Sequence, residues 1–180
     1  MLLILDVNFS TFIFYKIGIN NIIFSRSLIV SEDEEEEILK FFGYKEFKSS
    51  HQRQAIVDCL ALENTAVCLP TGAGKSLIPL FVAKANPQKR YILVVPLKAL
   101  LEQWKGMKIP TNLNLMSADA IQRSTLPEDA ERVFLDEAHL FLPKDGFRGH
   151  LVFNLATQSF LTLMSATLTP DMIETVQNVC

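Results

Sequence analysis

The stretch AVCLPTGAGKSLIPLFVAK, Ala66 to Lys84, decides the fold. AVCLP (66 to 70) is a short apolar run of strand type, and Lys75 to Lys84 has a helical pattern. Between them PTGAGKS, Pro70 to Ser76, turns the chain from one element directly into the next. A glycine-rich turn in that setting is built to hold phosphate. Gly72 and Gly74 let the backbone bend tightly and aim the loop's N–H groups, those of Thr71 and Ala73 among them, inward. The helix start adds positive potential. Lys75 would reach the outer phosphates as a point charge, and Ser76 would ligate Mg²⁺. The general phosphate-loop pattern wants a glycine four residues before Ala73, where this chain has Leu69.

Outward from that stretch, short apolar runs alternate with helical patterns. YILVVP (91 to 96), LNLMS (113 to 117), RVFLDE (132 to 137) and FLTLMSA (160 to 166) join AVCLP as five predicted strands. They are almost continuously apolar, as strands covered on both faces should be. Helices are predicted at Lys75–Lys84, Leu97–Trp104 and Ala118–Arg123, with another after Thr169. The alternation implies an α/β fold with a doubly wound parallel sheet and right-handed crossovers. Ligands bind such sheets at the carboxyl ends of the strands. Upstream, Ser31 is a candidate N-cap for a helix whose first turn is acidic, with Gly43 as its stop. A second helix is predicted from Ser50 to Leu62.

RVFLDEAH, Arg132 to His139, is an apolar strand that ends in two carboxylates. Asp136 at the tip suits Mg²⁺, usually through water, and Glu137 suits the proton of an attacking water. A lone acid pair at a strand end would read as solvated surface. A strand order that brings this tip beside the phosphate loop makes the two features one Mg²⁺–nucleotide site.

The bulk composition is permissive. Of 180 residues, 49% are apolar and 21% charged, and the formal charge is −3. Residues 32 to 37, EDEEEE, hold six of the twenty acids; the fourteen that remain face seventeen Lys and Arg. Net charge therefore neither supports nor excludes a polynucleotide partner. The cysteines Cys59, Cys68 and Cys180 have no metal-ligand spacing and fit a reducing, intracellular compartment. Residues 1–30 are read as an extension without assigned function. Asp6, Asn8, Lys16, Asn20, Asn21 and Arg26 break its apolar runs well short of the ~18 to 20 residues of a membrane span. Residues 31–180 form the predicted domain.

PTGAGKS, DEAH at 136 to 139 and SAT at 165 to 167 resemble motifs I, II and III of superfamily 2 helicases, in which the earlier glycine is not required. VVPLKALLEQW, Val94 to Trp104, is similar to motif Ia, and SADA, Ser117 to Ala120, to motif Ib. FGYKEF, Phe42 to Phe47, followed by Gln52, resembles the segment that precedes the phosphate loop in RecQ helicases, and fungal RecQ-like proteins come closest in style. The resemblance implies a RecA-like P-loop lobe that binds Mg²⁺–ATP, with Tyr44 stacked on adenine, Gln52 at its edge and Lys48 in the usual place of an arginine. Strict spacing would put His51 in the glutamine's position; the distance to Lys75 favours Gln52. LFLPKDGFRGH, Leu140 to His150, resembles the aromatic-rich loop that couples DNA to hydrolysis, with Phe147 and Arg148 matching its end. The Trp and His that usually precede them are missing.

By the same resemblance, His139 contacts the SAT segment through Ser165 and Thr167, and nucleic acid runs over Pro96, Lys98 and Ser117. A second RecA-like lobe is expected as partner, because in this superfamily its arginines complete hydrolysis, and residues 1–180 do not include it. Losing such arginines costs ~10³- to 10⁵-fold in rate, so the chain alone is expected to bind ATP weakly, hydrolyse it poorly and unwind nothing. A RecQ-like, 3′-to-5′ DNA helicase acting in the nucleus is the first reading. Another superfamily 2 member, an RNA helicase or translocase, is the second. A non-catalytic nucleotide- or nucleic-acid-binding remnant is the third, suggested by a short stretch between motif Ia and SADA.

Overall fold

A computed structural model describes residues 13–17, 30–62, 64–141, 149–167, 169 and 172. The described strands form one six-stranded sheet. β1 is Ile13–Ile17, β2 Asn64–Cys68, β3 Arg90–Val95, β4 Leu113–Ser117, β5 Ala130–Leu135 and β6 Phe160–Ser165. Their order across the sheet is β1-β2-β6-β5-β3-β4. The five strands from β2 to β4 pair in parallel, and β1 adds antiparallel at the β2 edge, Tyr15 opposite Ala66. All five predicted strands are present. The first two and the fourth begin earlier than expected, β2 at Asn64 rather than Ala66, because ladder pairing starts before the apolar run does.

The helices flank this sheet: α1 Glu32–Phe41, α2 Ser50–Leu60, α3 Leu77–Ala85, α4 Lys98–Lys105, α5 Ala118–Arg123 and α6 Gly149–Ala156. Two apolar clusters lie on its faces. One gathers Ile56, Phe81, Leu93, Trp104 and Phe134 under α1 to α4; the other gathers Ile92, Val133, Phe141, Val152 and Leu161 under α5 and α6. The helix at Gly149–Ala156 was not expected. Its sequence GHLVFNLA is apolar nearly all round, so no polar stripe announces a helical period. The expected helix after Thr169 falls outside the described residues, apart from Met172.

Local signals place the upstream helices. Ser31 and Glu34 form a capping box, the serine hydroxyl accepting from Glu34 N and Glu34 Oε2 accepting from Ser31 N at 3.0 Å. Such a cap contributes about 1 kcal/mol. At the other end Gly43, with φ +82°, lets Tyr44 N donate to Leu39 O at 2.9 Å while Gly43 N donates to Lys40 O. That paired closure ends α1 and turns Tyr44 outward. Arg53 then ties α2 to α1 through Glu35 at 2.8 and 3.0 Å.

Candidate nucleotide site

The carboxyl ends of β2, β6, β5 and β3 lie side by side, and the residues with chemistry sit on the turns that leave them. β2 leads into the phosphate loop and β5 into Asp136. The sequence reading set the acid tip beside the phosphate loop and placed no strand between them; in the sheet β6 runs between β2 and β5. The SAT segment therefore stands between the loop strand and the acid strand.

In the loop, Gly72 and Gly74 have φ of +81° and +85°, which an L side chain resists. At Gly74 a Cβ would also collide with the Gln52 amide. Gln52 is 1% exposed. Its Nε2 donates to Gly74 O at 2.8 Å, while its Oε1 accepts from Lys48 N at 2.7 Å. Lys48 Nζ donates to Gly72 O at 2.9 Å. Lys75 Nζ arches back to Leu69 O at 2.8 Å. Ala73 packs on the core, Thr71 is exposed, and Ser76 opens α3 without capping it. Tyr44, 38% exposed, is near in sequence to Lys48, and no side-chain hydrogen bond or ring contact joins it to the loop. Gln52 therefore touches the loop, as its spacing to Lys75 suggested.

The backbone of Asp136 continues the sheet, its N–H donating to Val94 O at 2.9 Å. Its carboxylate is held on both oxygens: Oδ1 accepts from Glu137 N at 3.1 Å and Oδ2 from the Trp104 indole N–H at 2.9 Å. Burial pushes the Asp136 carboxyl above its ordinary value; the Trp104 hydrogen bond pulls it back, and the Lys75 charge also lowers it. Glu137 occupies the left-handed region, φ 50° and ψ 50°, and turns the chain sharply into a short 3₁₀ turn, Ala138–Leu140. Such backbone strain in a non-glycine residue is typical of functional sites.

His139 Nδ1 lies 3.0 Å from Ser165 Oγ and 3.4 Å from Glu137 Oε2. The Ser165 hydroxyl gives its own proton to Thr167 O at 2.7 Å, so His139 must be the donor to Ser165. Pro96 and Ser117 sit together at the ends of paired strands, but both are buried, and the Ser117 hydroxyl caps α5 through Ala120 N. Of that trio Lys98 alone offers an exposed side chain. Phe147 and Arg148 lie outside the described residues.

Sequence reasoning missed Trp104, the chain's one tryptophan, as a site residue. Its spacing of 32 residues from Asp136 is not a motif. The usable signal was a tryptophan at the end of a helix that follows a strand tip.

Ser76 and Asp136 are hard oxygen donors, the chemistry Mg²⁺ prefers, and Gly72 and Gly74 hold the loop in a positive-φ conformation that L side chains resist. These residues fit a Mg²⁺–nucleotide. Among the described residues no cluster of three His, Cys, Asp or Glu could hold a metal without it.

Comparison with known proteins agrees with this geometry. Residues 49–107 match the family model of the DEAD/DEAH box helicases. No curated protein matches this sequence. The UvsW helicase from bacteriophage T4 is similar in structure, with TM-score 0.60 at 17% identity, over 83% of this chain and 65% of that one. The Sulfolobus solfataricus SWI2/SNF2 ATPase core in complex with dsDNA matches with TM-score 0.56 at 14% identity, over 72% and 33%. The DUF1998 helicase MrfA bound to DNA and AMPPNP matches with TM-score 0.62 at 17% identity, over 79% and 27%. The chain thus spans less than two thirds of the length of each of these structures. The fold is a RecA-like lobe, the architecture shared with these structures. The segment that matches the DEAD/DEAH box helicase model, residues 49–107, runs from α2 through the phosphate loop to the end of α4.

Proposed function

We propose that this chain is the ATP-binding lobe of a RecQ-like, 3′-to-5′ DNA helicase that works with a second RecA-like lobe. The observation that carries the reading is the placing of Lys75 after β2 and of Asp136, Glu137 and His139 after β5, on either side of β6 at the same end of the sheet, with Gln52 seated on Gly74 O at 2.8 Å. Lys75 would bind the outer phosphates; Ser76 and Asp136 would hold Mg²⁺, which neutralises phosphate charge when bound. Glu137 would take the proton of the attacking water, and His139 would pass the state of the site to Ser165 and Thr167. Tyr44, Lys48 and Gln52 would form the adenine side of the pocket.

DNA is preferred to RNA because the SWI2/SNF2 core and MrfA are described on DNA. The FGYKEF segment and Gln52 support the RecQ-like branch, with repair or recombination in the nucleus as its setting. One observation favours the alternative of a non-catalytic nucleotide- or nucleic-acid-binding remnant: the path from β3 to β5 runs through helices of only 8 and 6 residues.

Fluorescent-nucleotide binding with Mg²⁺ tests the reading, using the native chain, Lys75→Ala and Tyr44→Ala, with GTP as competitor. Saturable binding that prefers ATP and is lost in both variants is expected. A folded native chain that binds no nucleotide would leave the remnant as the better account.

A further inference from the structure

Asp136 is held by groups from the two elements that flank the turn Pro96–Lys98. Val94 O, two residues before the turn, accepts from its backbone N–H at 2.9 Å. The Trp104 indole, six residues after Lys98, donates to its Oδ2 at 2.9 Å. Trp104 is 4% exposed and lies at the end of α4, packed in the cluster under α1 to α4. A buried indole N–H needs an acceptor, and many backbone carbonyls would serve. Here the acceptor is a carboxylate at the centre of the candidate site.

The kind of donor matters. An ammonium or guanidinium at 2.9 Å would cancel the charge that a divalent cation needs. A neutral N–H fixes the plane of the carboxylate and leaves its full negative charge in place. With Oδ1 held by Glu137 N and Oδ2 by the indole, the carboxyl group has no free rotation. Its remaining lone pairs then have fixed directions.

We propose that Trp104 is the positioning residue for the Asp136 carboxylate, orienting it toward Mg²⁺ and joining that orientation to the Pro96–Lys98 turn. The inference rests on the reading of Asp136 as a Mg²⁺ ligand. Because the chain has one tryptophan, replacing tryptophan throughout by its sulfur isostere benzothienylalanine removes this N–H and nothing else, with shape retained.

The test uses the ¹⁵N-labelled chain and Mg²⁺ with ADP as probe. The single indole N–H resonance should shift when Mg²⁺ and ADP are added together, and much less with ADP and EDTA. In the isostere and in Trp104→Phe, the Mg²⁺-dependent part of ADP affinity should fall about 10- to 100-fold, while Mg²⁺-free binding is unchanged. Native Mg²⁺-dependent binding with a motionless indole resonance, or an isostere that binds like the native chain, would overturn the proposal alone. A folded native chain with no Mg²⁺-dependent binding would overturn the site reading and the proposal together.

Discussion

His139 Nδ1 and Ser165 Oγ stand 3.0 Å apart and join the tips of two neighbouring strands, β5 and β6. The Ser165 proton goes to Thr167 O, so the bond fixes His139 in its Nδ1–H form. Ser165→Ala removes both the acceptor for His139 and the donor to Thr167 O. We expect a loss of about 1 to 3 kcal/mol in stability and a return of His139 toward the Nε2–H tautomer. Long-range ¹H–¹⁵N spectra of the imidazoles read the tautomer directly; an unchanged pattern would remove the link from the argument.

Among the described residues two non-glycine positions have positive φ, Leu62 at 57° and Glu137 at 50°. Left-handed backbone costs an L residue about 1 to 2 kcal/mol, so glycine should relieve strain at both. Leu62 is half-buried and gives back part of the gain through lost contacts. Glu137→Gly should raise Tm by roughly 2–4 °C and abolish hydrolysis by any complete two-lobe assembly. Leu62→Gly should change Tm less and leave nucleotide binding alone. Thermal melts beside nucleotide titrations check both.

Arg132 is fully buried at the entry of β5, where Nη1 donates to Thr162 Oγ1 at 2.9 Å and Nη2 to Cys59 O at 2.7 Å. Arg132→Ala leaves a cavity and strips both acceptors, and should cost about 3 to 5 kcal/mol. Arg132→Met refills most of the volume without burying a charge, so it should cost much less. Urea denaturation of the two variants decides; equal losses would mean the hydrogen bonds outweigh the packing.

Alkaline pH should weaken the fold through two buried acids. Burial pushes the Cys59 thiol above its ordinary 9.0 and the Tyr91 hydroxyl from 10.0 up to about 12. Below pH 9 both are neutral in folded and unfolded chains and contribute no pH dependence. As pH rises through the unfolded values, the unfolded chain releases protons that the folded chain keeps. Stability then falls by up to about 1.4 kcal/mol per unit for each group. Tyr91→Phe should flatten the Tyr share between pH 10 and 12 in urea melts; an identical slope would refute it.

The parallel sheet was legible because its strands are apolar on both faces and alternate along the chain with helical patterns. Ser31, Gly43, Gln52 and His139 could be read because their work is local or tied to a motif. Trp104 and Arg132 could not, since each acts on a partner 30 or more residues away, Asp136 and Thr162 respectively, set by strand order. An arginine at a strand start reads as solvated by default, and only the packing of α2 over β5 and β6 shows it sealed. The same limit explains β6: nothing in FLTLMSA says it threads between the loop strand and the acid strand.

Three carbonyls around the phosphate loop are already taken by side chains, Leu69 O by Lys75, Gly72 O by Lys48 and Gly74 O by Gln52. Carbonyl oxygens carry partial negative charge and repel an arriving anion. Two ammonium groups and an amide mask that charge at its source, from the rear of the loop. Lys48 can thereby favour a polyphosphate without touching it, through the field it removes rather than the bond it makes. Its contribution to affinity is then partly a matter of long-range potential, which added salt erodes; a neutral hydrogen-bonding residue in its place would restore the masking of Gly72 O but not that potential.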